Sequence, residues 1–144
     1  MCNRLLKNTE GLLKFWKSLP FRTQEGVLFK KDALGQSLIH RVALNGNSTL
    51  FLDFWKTTPT FFHHECLFMT TNEGWTVAHC AARYIHPKAF LSFWYTIDRS
   101  FHQRLALLTP NPTLSVLVYD HCGSIYSFFW ATLSKKIQSQ LLEK

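Results

Sequence analysis

The sequence predicts an all-α fold, a short solenoid of helical repeats, and three observations carry that prediction. Trp16, Trp55 and Trp94 recur every 39 residues, with Phe15, Phe54 and Phe93 directly before them and Leu13, Leu52 and Leu91 in the same register. A second phrase keeps the same offset: GQSLIHRVALNG (35–46) aligns with GWTVAHCAARYI (74–85), pairing Gly35 with Gly74, Ser37 with Thr76, His40 with His79 and Ala43 with Ala82. The segments Leu50–Trp55 and Ala89–Trp94 are too densely apolar for a surface helix with one narrow stripe, so they are expected to be covered on more than one side by neighbouring repeats.

Taken in order, residues 1–20 read as an N-terminal half-repeat, 21–59 and 60–98 as full repeats, and 99–144 as a degenerate C-terminal capping repeat. In the full repeats Ser37–Leu44 and Thr76–Tyr84 are short helices, each preceded by a glycine turn. A Ser or Thr hydroxyl at each start accepts an otherwise orphaned backbone N–H. Asn45-Gly46 is a turn dipeptide, and His86-Pro87 takes its place in the next repeat. A second helix follows and ends near Trp55 or Trp94, with Pro20 and Pro59 stopping their helices. The connections 56–73 and 95–112 carry Phe61, Phe62, Leu67, Phe68 and Phe101, Leu105, Leu107, Leu108, the composition of an additional short helix rather than a bare loop. Adding 39 once more reaches TLSVLVYDHCGS (113–124), where Ser115 lies over Thr76, and Phe129-Trp130 closes a fourth copy 36 residues after Trp94.

A chain of 144 residues with 47% hydrophobic content, thirteen Phe and five Trp has material for one buried core and is not disordered in composition. No run approaches the roughly 18 apolar residues of a membrane span. In the opening, MCNRLLKNTEG, Arg4 and Lys7 interrupt the apolar residues, so the chain is expected to be cytoplasmic. Four cysteines (Cys2, Cys66, Cys80, Cys122) show no C-x-x-C spacing and are expected to be reduced thiols. Sixteen Lys and Arg against nine Asp and Glu give a net charge of +7, dispersed along the chain apart from Lys30-Lys31 and Lys135-Lys136.

The phrase G-x-[ST]-x-x-H-x-x-A resembles the ankyrin repeat. The matching residues are Gly35, Ser37, Ile39, His40, Ala43 and Gly46 in one unit, and Gly74, Thr76, Ala78, His79, Ala81, Ala82 and His86 in the next; Asp32 suits the aspartate that often opens the motif. The ankyrin unit has about 33 residues, and this period is 39; Leu38 and Val77 stand where the family has proline, and Phe-Trp where it has a leucine pair. The resemblance implies that His40 and His79 bond locally to the turn and the preceding hydroxyl rather than serving as ligands or catalysts. It further implies a protein-binding module, and a divergent chain of this size resembles ankyrin-type effectors that intracellular bacteria inject into host cells. Secretion into a host cytosol would then involve the charged tail SKKIQSQLLEK (134–144) and a host protein as partner.

Candidate sites follow from the residues. The run HHEC (63–66), and His79-Cys80 and His121-Cys122, place ligand types side by side without a complementary pair at zinc-site spacing. No phosphate loop, nucleophile elbow or zinc-protease helix is present, so no enzymatic activity, cofactor, metal or small-molecule substrate is expected. The repeating Trp16, Trp55 and Trp94 are expected in the inter-repeat core. Loop tips and the exposed side of the first helices together form the binding face of a repeat stack. That places Gln36, Trp75 and Leu114 at tips, and Arg41, Leu44, Asn45, Cys80, Arg83 and Tyr84 facing outward. Arg41, Trp75, Arg83, Tyr84, Gln36 and Leu44 are the expected partner-binding residues, Trp, Tyr and Arg being enriched in binding hot spots. The competing role for Trp75 is a cover for the apolar connection of its own repeat. The expected function is a non-enzymatic protein–protein interaction module acting as scaffold, adaptor or inhibitor. The alternative is a basic solenoid binding nucleic acid or another anionic surface, which requires Lys30, Lys31, Arg41, Arg83, Lys88 and Arg104 to share a face.

Overall fold

The computed structural model describes residues 9–108 and 113–142. Cys2, the opening segment with Arg4 and Lys7, the start of the closing unit near Asn111, and the last two residues of the tail lie outside them. Among the described residues every regular element is helical.

The half-unit comprises α1 (Thr9–Ser18) and α2 (Phe21–Phe29). Each later unit has three helices. The first full unit is α3 (Leu38–Leu44), α4 (Ser48–Thr57) and α5 (His63–Phe68), with a 3-10 turn at Thr60–Phe62. Next come α6 (Val77–Tyr84), α7 (Pro87–Tyr95) and α8 (Arg99–Leu107). The closing unit is α9 (Leu114–His121), a 3-10 turn (Gly123–Ile125), α10 (Tyr126–Ala131) and α11 (Lys135–Leu142). The apolar connections therefore do carry helices, α5 and α8. Pro20 and Pro59 stand at the N-cap positions of the elements that follow them, and Pro87 opens α7, where its missing N–H costs no helical bond.

The helices pack in two series. Helices α3, α6 and α9 lie against one another in succession, as do α1, α4, α7 and α10. Between units the aromatic residues meet in one recurring contact: Trp16 lies 4.8 Å from Phe54, Trp55 5.1 Å from Phe93, and Trp94 5.0 Å from Phe129. All six rings are buried. A polar rung accompanies it. Trp55 Nε1 donates to Thr96 Oγ1 at 2.9 Å and Trp94 Nε1 to Thr132 Oγ1 at 2.8 Å. Each threonine hydroxyl donates in turn to the Phe93 or Phe129 carbonyl at 2.6 Å. The bond lets an indole be buried without leaving its N–H unpaired. At the first junction the ring contact persists without the bond, and Trp16 Nε1 has no partner among the described residues.

A second column lies eight residues past Trp16, Trp55, Trp94 and Trp130, with His63 and His102 identical across the 39-residue period. Gln24 donates to the Trp16 carbonyl, His102 to the Trp94 carbonyl and Gln138 to the Trp130 carbonyl, at 3.0, 2.7 and 2.9 Å. His63 in the remaining unit donates to the Thr58 carbonyl at 2.9 Å. Each of these side chains adds a hydrogen bond at a helix end; the Trp16, Trp94 and Trp130 carbonyls also accept from Leu19 N, Ile97 N and Leu133 N. The two histidines also lie flat on their tryptophans, 4.0 Å for Trp55–His63 and 4.1 Å for Trp94–His102.

The closing unit corrects the register. Thr113 caps α9, accepting from Val116 N, so Thr113 rather than Ser115 occupies the place of Thr76, and Val116 that of His79. Leu114 is consequently the first helical residue, wholly buried, and not a loop tip. Ser115 contacts the Tyr126 hydroxyl at 3.1 Å instead.

Candidate partner-binding groove

The groove is built from two tight turns and the two helices they precede. In the first turn Gly35 N donates to the Asp32 carbonyl and Asp32 N to the Gln36 carbonyl; Gly74, Thr71 and Trp75 repeat this one unit later. Gly35 and Gly74 both hold positive φ, 75° and 85°. The turns are joined to each other: Asn72 N donates to the Leu34 carbonyl and Asn72 Nδ2 to the Ala33 carbonyl, both at 3.0 Å, and Lys31 Nζ reaches the Thr70 carbonyl at 2.9 Å. A Cβ on Gly35 would stand 2.5 Å from Asn72 Oδ1 and 2.6 Å from its backbone N, so the join requires glycine there.

Histidines lock the helices to these turns. His40 Nδ1 accepts from Ser37 N at 3.0 Å, and His79 Nδ1 accepts from Thr76 N at 3.1 Å. An accepting Nδ1 places the proton on Nε2, and in His40 that N–H donates to the Met69 carbonyl at 3.1 Å. Burial holds the His40 pKa below the ordinary histidine value, against the pull of the Met69 carbonyl, and pushes that of His79 down to about 4. Both are neutral imidazoles, part of the helix starts and walled off from solvent.

Between the turns and helices α3 and α6 lies an open groove of about 270 Å³. Gln36 and Leu44 line it from one unit and Trp75 and Tyr84 from the next, with Leu34, Thr71, Asn72, Glu73 and Cys80 completing the wall. Trp75 is half-buried, its ring packed on the core and 6.2 Å from His79, so it covers apolar residues and also lines the groove. Tyr84 is 47% exposed. Four of the six sequence-derived residues thus share one concavity. Arg83 lies beside it, with its guanidinium 5.4 Å from the Tyr84 ring centroid and Nη1 donating to His121 Nδ1 at 3.2 Å. Arg41 Nε lies 3.8 Å from Asp32 Oδ2, at the outer side of the first turn.

Cys80 does not face outward: it is buried at 1% exposure, because α6 is covered on one side by α3 and on the other by α9. Its thiol, like that of Cys66, is pushed up to about 12 by burial, and that of Cys122 to about 11. These three thiols are free and buried, conditions that suppress nucleophilic reactivity. The HHEC run disperses: His63 stacks on Trp55, Cys66 enters the core and His64 meets Phe101 at 5.0 Å. No group of three or more His, Cys, Asp or Glu among the described residues has metal-binding geometry.

The basic residues sit on different elements. Lys31 is held by a turn carbonyl, Arg41 by Asp32 and Arg83 by Tyr84 and His121. Arg104, on the third helix of its unit, caps the Phe68 ring at 4.2 Å and donates to His64. Among the described residues, no helix is long and apolar enough to cross a membrane. Comparison with family models, curated proteins and solved structures returned no match.

Proposed function

We propose that the chain is a non-enzymatic protein-interaction module, a short ankyrin-like helical solenoid that recognises another protein through the groove between its two full units. The observation that carries this reading is the convergence of Gln36, Leu44, Trp75 and Tyr84 in one concavity, with Arg83 beside it on the Tyr84 ring. Half-buried aromatic residues give contact area at small entropic cost, because packing already fixes their rotamers. The amides of Gln36 and Asn72 and the carboxylate of Glu73 around them supply orientation. The occupant that fits is an apolar or aromatic side chain of a partner protein, flanked by backbone polar groups.

The test compares partner capture by the native chain, by Tyr84→Lys and by Phe61→Lys. Tyr84 and Phe61 are both exposed, so both variants keep the core intact. A protein partner lost with Tyr84→Lys, retained with Phe61→Lys and retained in high salt supports the groove. A partner indifferent to Tyr84→Lys overturns it. Binding that instead falls steeply with salt points to counterion release from a nucleic acid.

A further inference from the structure

We propose that the chain associates head to tail with a second copy of itself, Trp130 of one copy seating on Phe15 and Ser18 of the next. The inference rests on the junction that the molecule makes internally three times. In each, a tryptophan of one unit packs on the phenylalanine of the following unit: Trp16 on Phe54, Trp55 on Phe93, Trp94 on Phe129. In two of the three the indole N–H also donates to a threonine hydroxyl that is itself bonded to that phenylalanine's carbonyl.

Both halves of a fourth such junction stand at the two ends. At the head, Ser18 Oγ donates to the Phe15 carbonyl at 2.7 Å, the same local bond that Thr57, Thr96 and Thr132 make to Phe54, Phe93 and Phe129. The hydroxyl oxygen keeps lone pairs for an incoming N–H. Phe15 is 38% exposed, whereas Phe54, Phe93 and Phe129 are buried. At the tail, Trp130 is half-buried and its Nε1 makes no hydrogen bond among the described residues. Around it Val116 and Tyr119 are exposed, Tyr119 at 66%.

This tail keeps its stacking residues: Tyr119 meets Tyr126 at 5.3 Å and Tyr126 lies on Trp130 at 5.9 Å. The two surfaces differ from each other, so the contact is heterologous and generates open chains of copies rather than a closed pair.

Sedimentation velocity from micromolar to near-millimolar concentration tests this. The native chain is expected to gain average mass with concentration, and Phe15→Lys and Tyr119→Lys each to remain monomeric alone. An equimolar mixture of the two, one with an intact tail and the other with an intact head, is expected to give dimers and nothing larger. Both substituted residues are exposed, and matching circular dichroism spectra establish that the variants fold. A native chain that stays monomeric throughout overturns the proposal, as does association that survives both substitutions or a mixture that stays monomeric.

Discussion

Gly35 shows how much one residue fixes. It needs a left-handed backbone conformation, φ 75°, and it lies where a Cβ would collide with the Asn72 side chain and backbone. Gly35→Ala is therefore expected to cost about 1–3 kcal/mol. Gly26 sits inside α2, and a methyl group added there would meet nothing within 4 Å, so Gly26→Ala is expected to stabilise by about 0.5–1 kcal/mol. Urea denaturation of the two variants checks both signs, and equal effects would remove the steric argument. Trp55→Ala, which empties a site 2% exposed and breaks the bond to Thr96, is expected to cost about 3–5 kcal/mol. Gly35 and Trp55 were legible in the sequence because one residue type alone meets each requirement. The column of Gln24, His63, His102 and Gln138 was legible only in its two histidines, because an amide and an imidazole each supply the same N–H to a carbonyl. His63 and His102 are identical at the 39-residue offset, and functional equivalence hides only the two glutamines.

At the scale of the helix, the starts were readable where a hydroxyl and a histidine recur together, as in Ser37 with His40 and Thr76 with His79. They misled where the histidine is missing. In the closing unit two hydroxyl residues stand two apart, and the fixed period chooses Ser115; the backbone chooses Thr113, whose side chain accepts from Val116 N. Thr113→Ala is expected to lower stability by about 1 kcal/mol, the usual worth of an N-cap. Ser115→Ala removes a half-exposed contact to Tyr126 and is expected to cost less. Urea midpoints for the pair decide the register, and the reverse order would restore Ser115 as the cap. The same two-residue shift explains why Leu114 is core and why the sequence could place only the groove between the two full units: Gln36 and Trp75 follow glycines that both retain their turns.

Across the whole molecule, side-chain geometry gives Lys31, Arg41, Arg83 and Arg104 separate local partners. The neutral histidines set a property of the whole fold. His40, His63, His79 and His102 all have pKa values below the ordinary 6.5, burial being the largest cause in each. The unfolded chain takes up their protons first as pH falls, so acid favours unfolding. The stabilisation is complete above about 6.5 and is lost progressively below it, down to about 4 for His79. Each such histidine contributes a slope of up to about 1.4 kcal/mol per pH unit within its window. Protonation at Nδ1 also removes the acceptor for Ser37 N or Thr76 N, so the turns and the groove they frame should loosen together with the core. Urea midpoints are expected to be level from pH 8 to 7 and to fall steadily between about 6.5 and 4, with the Trp fluorescence and helical signals moving in step. A midpoint unchanged down to pH 5 would mean that these imidazoles take up protons equally in the folded and unfolded chain, and the locking of each helix to its turn through an accepting Nδ1 would have to be abandoned.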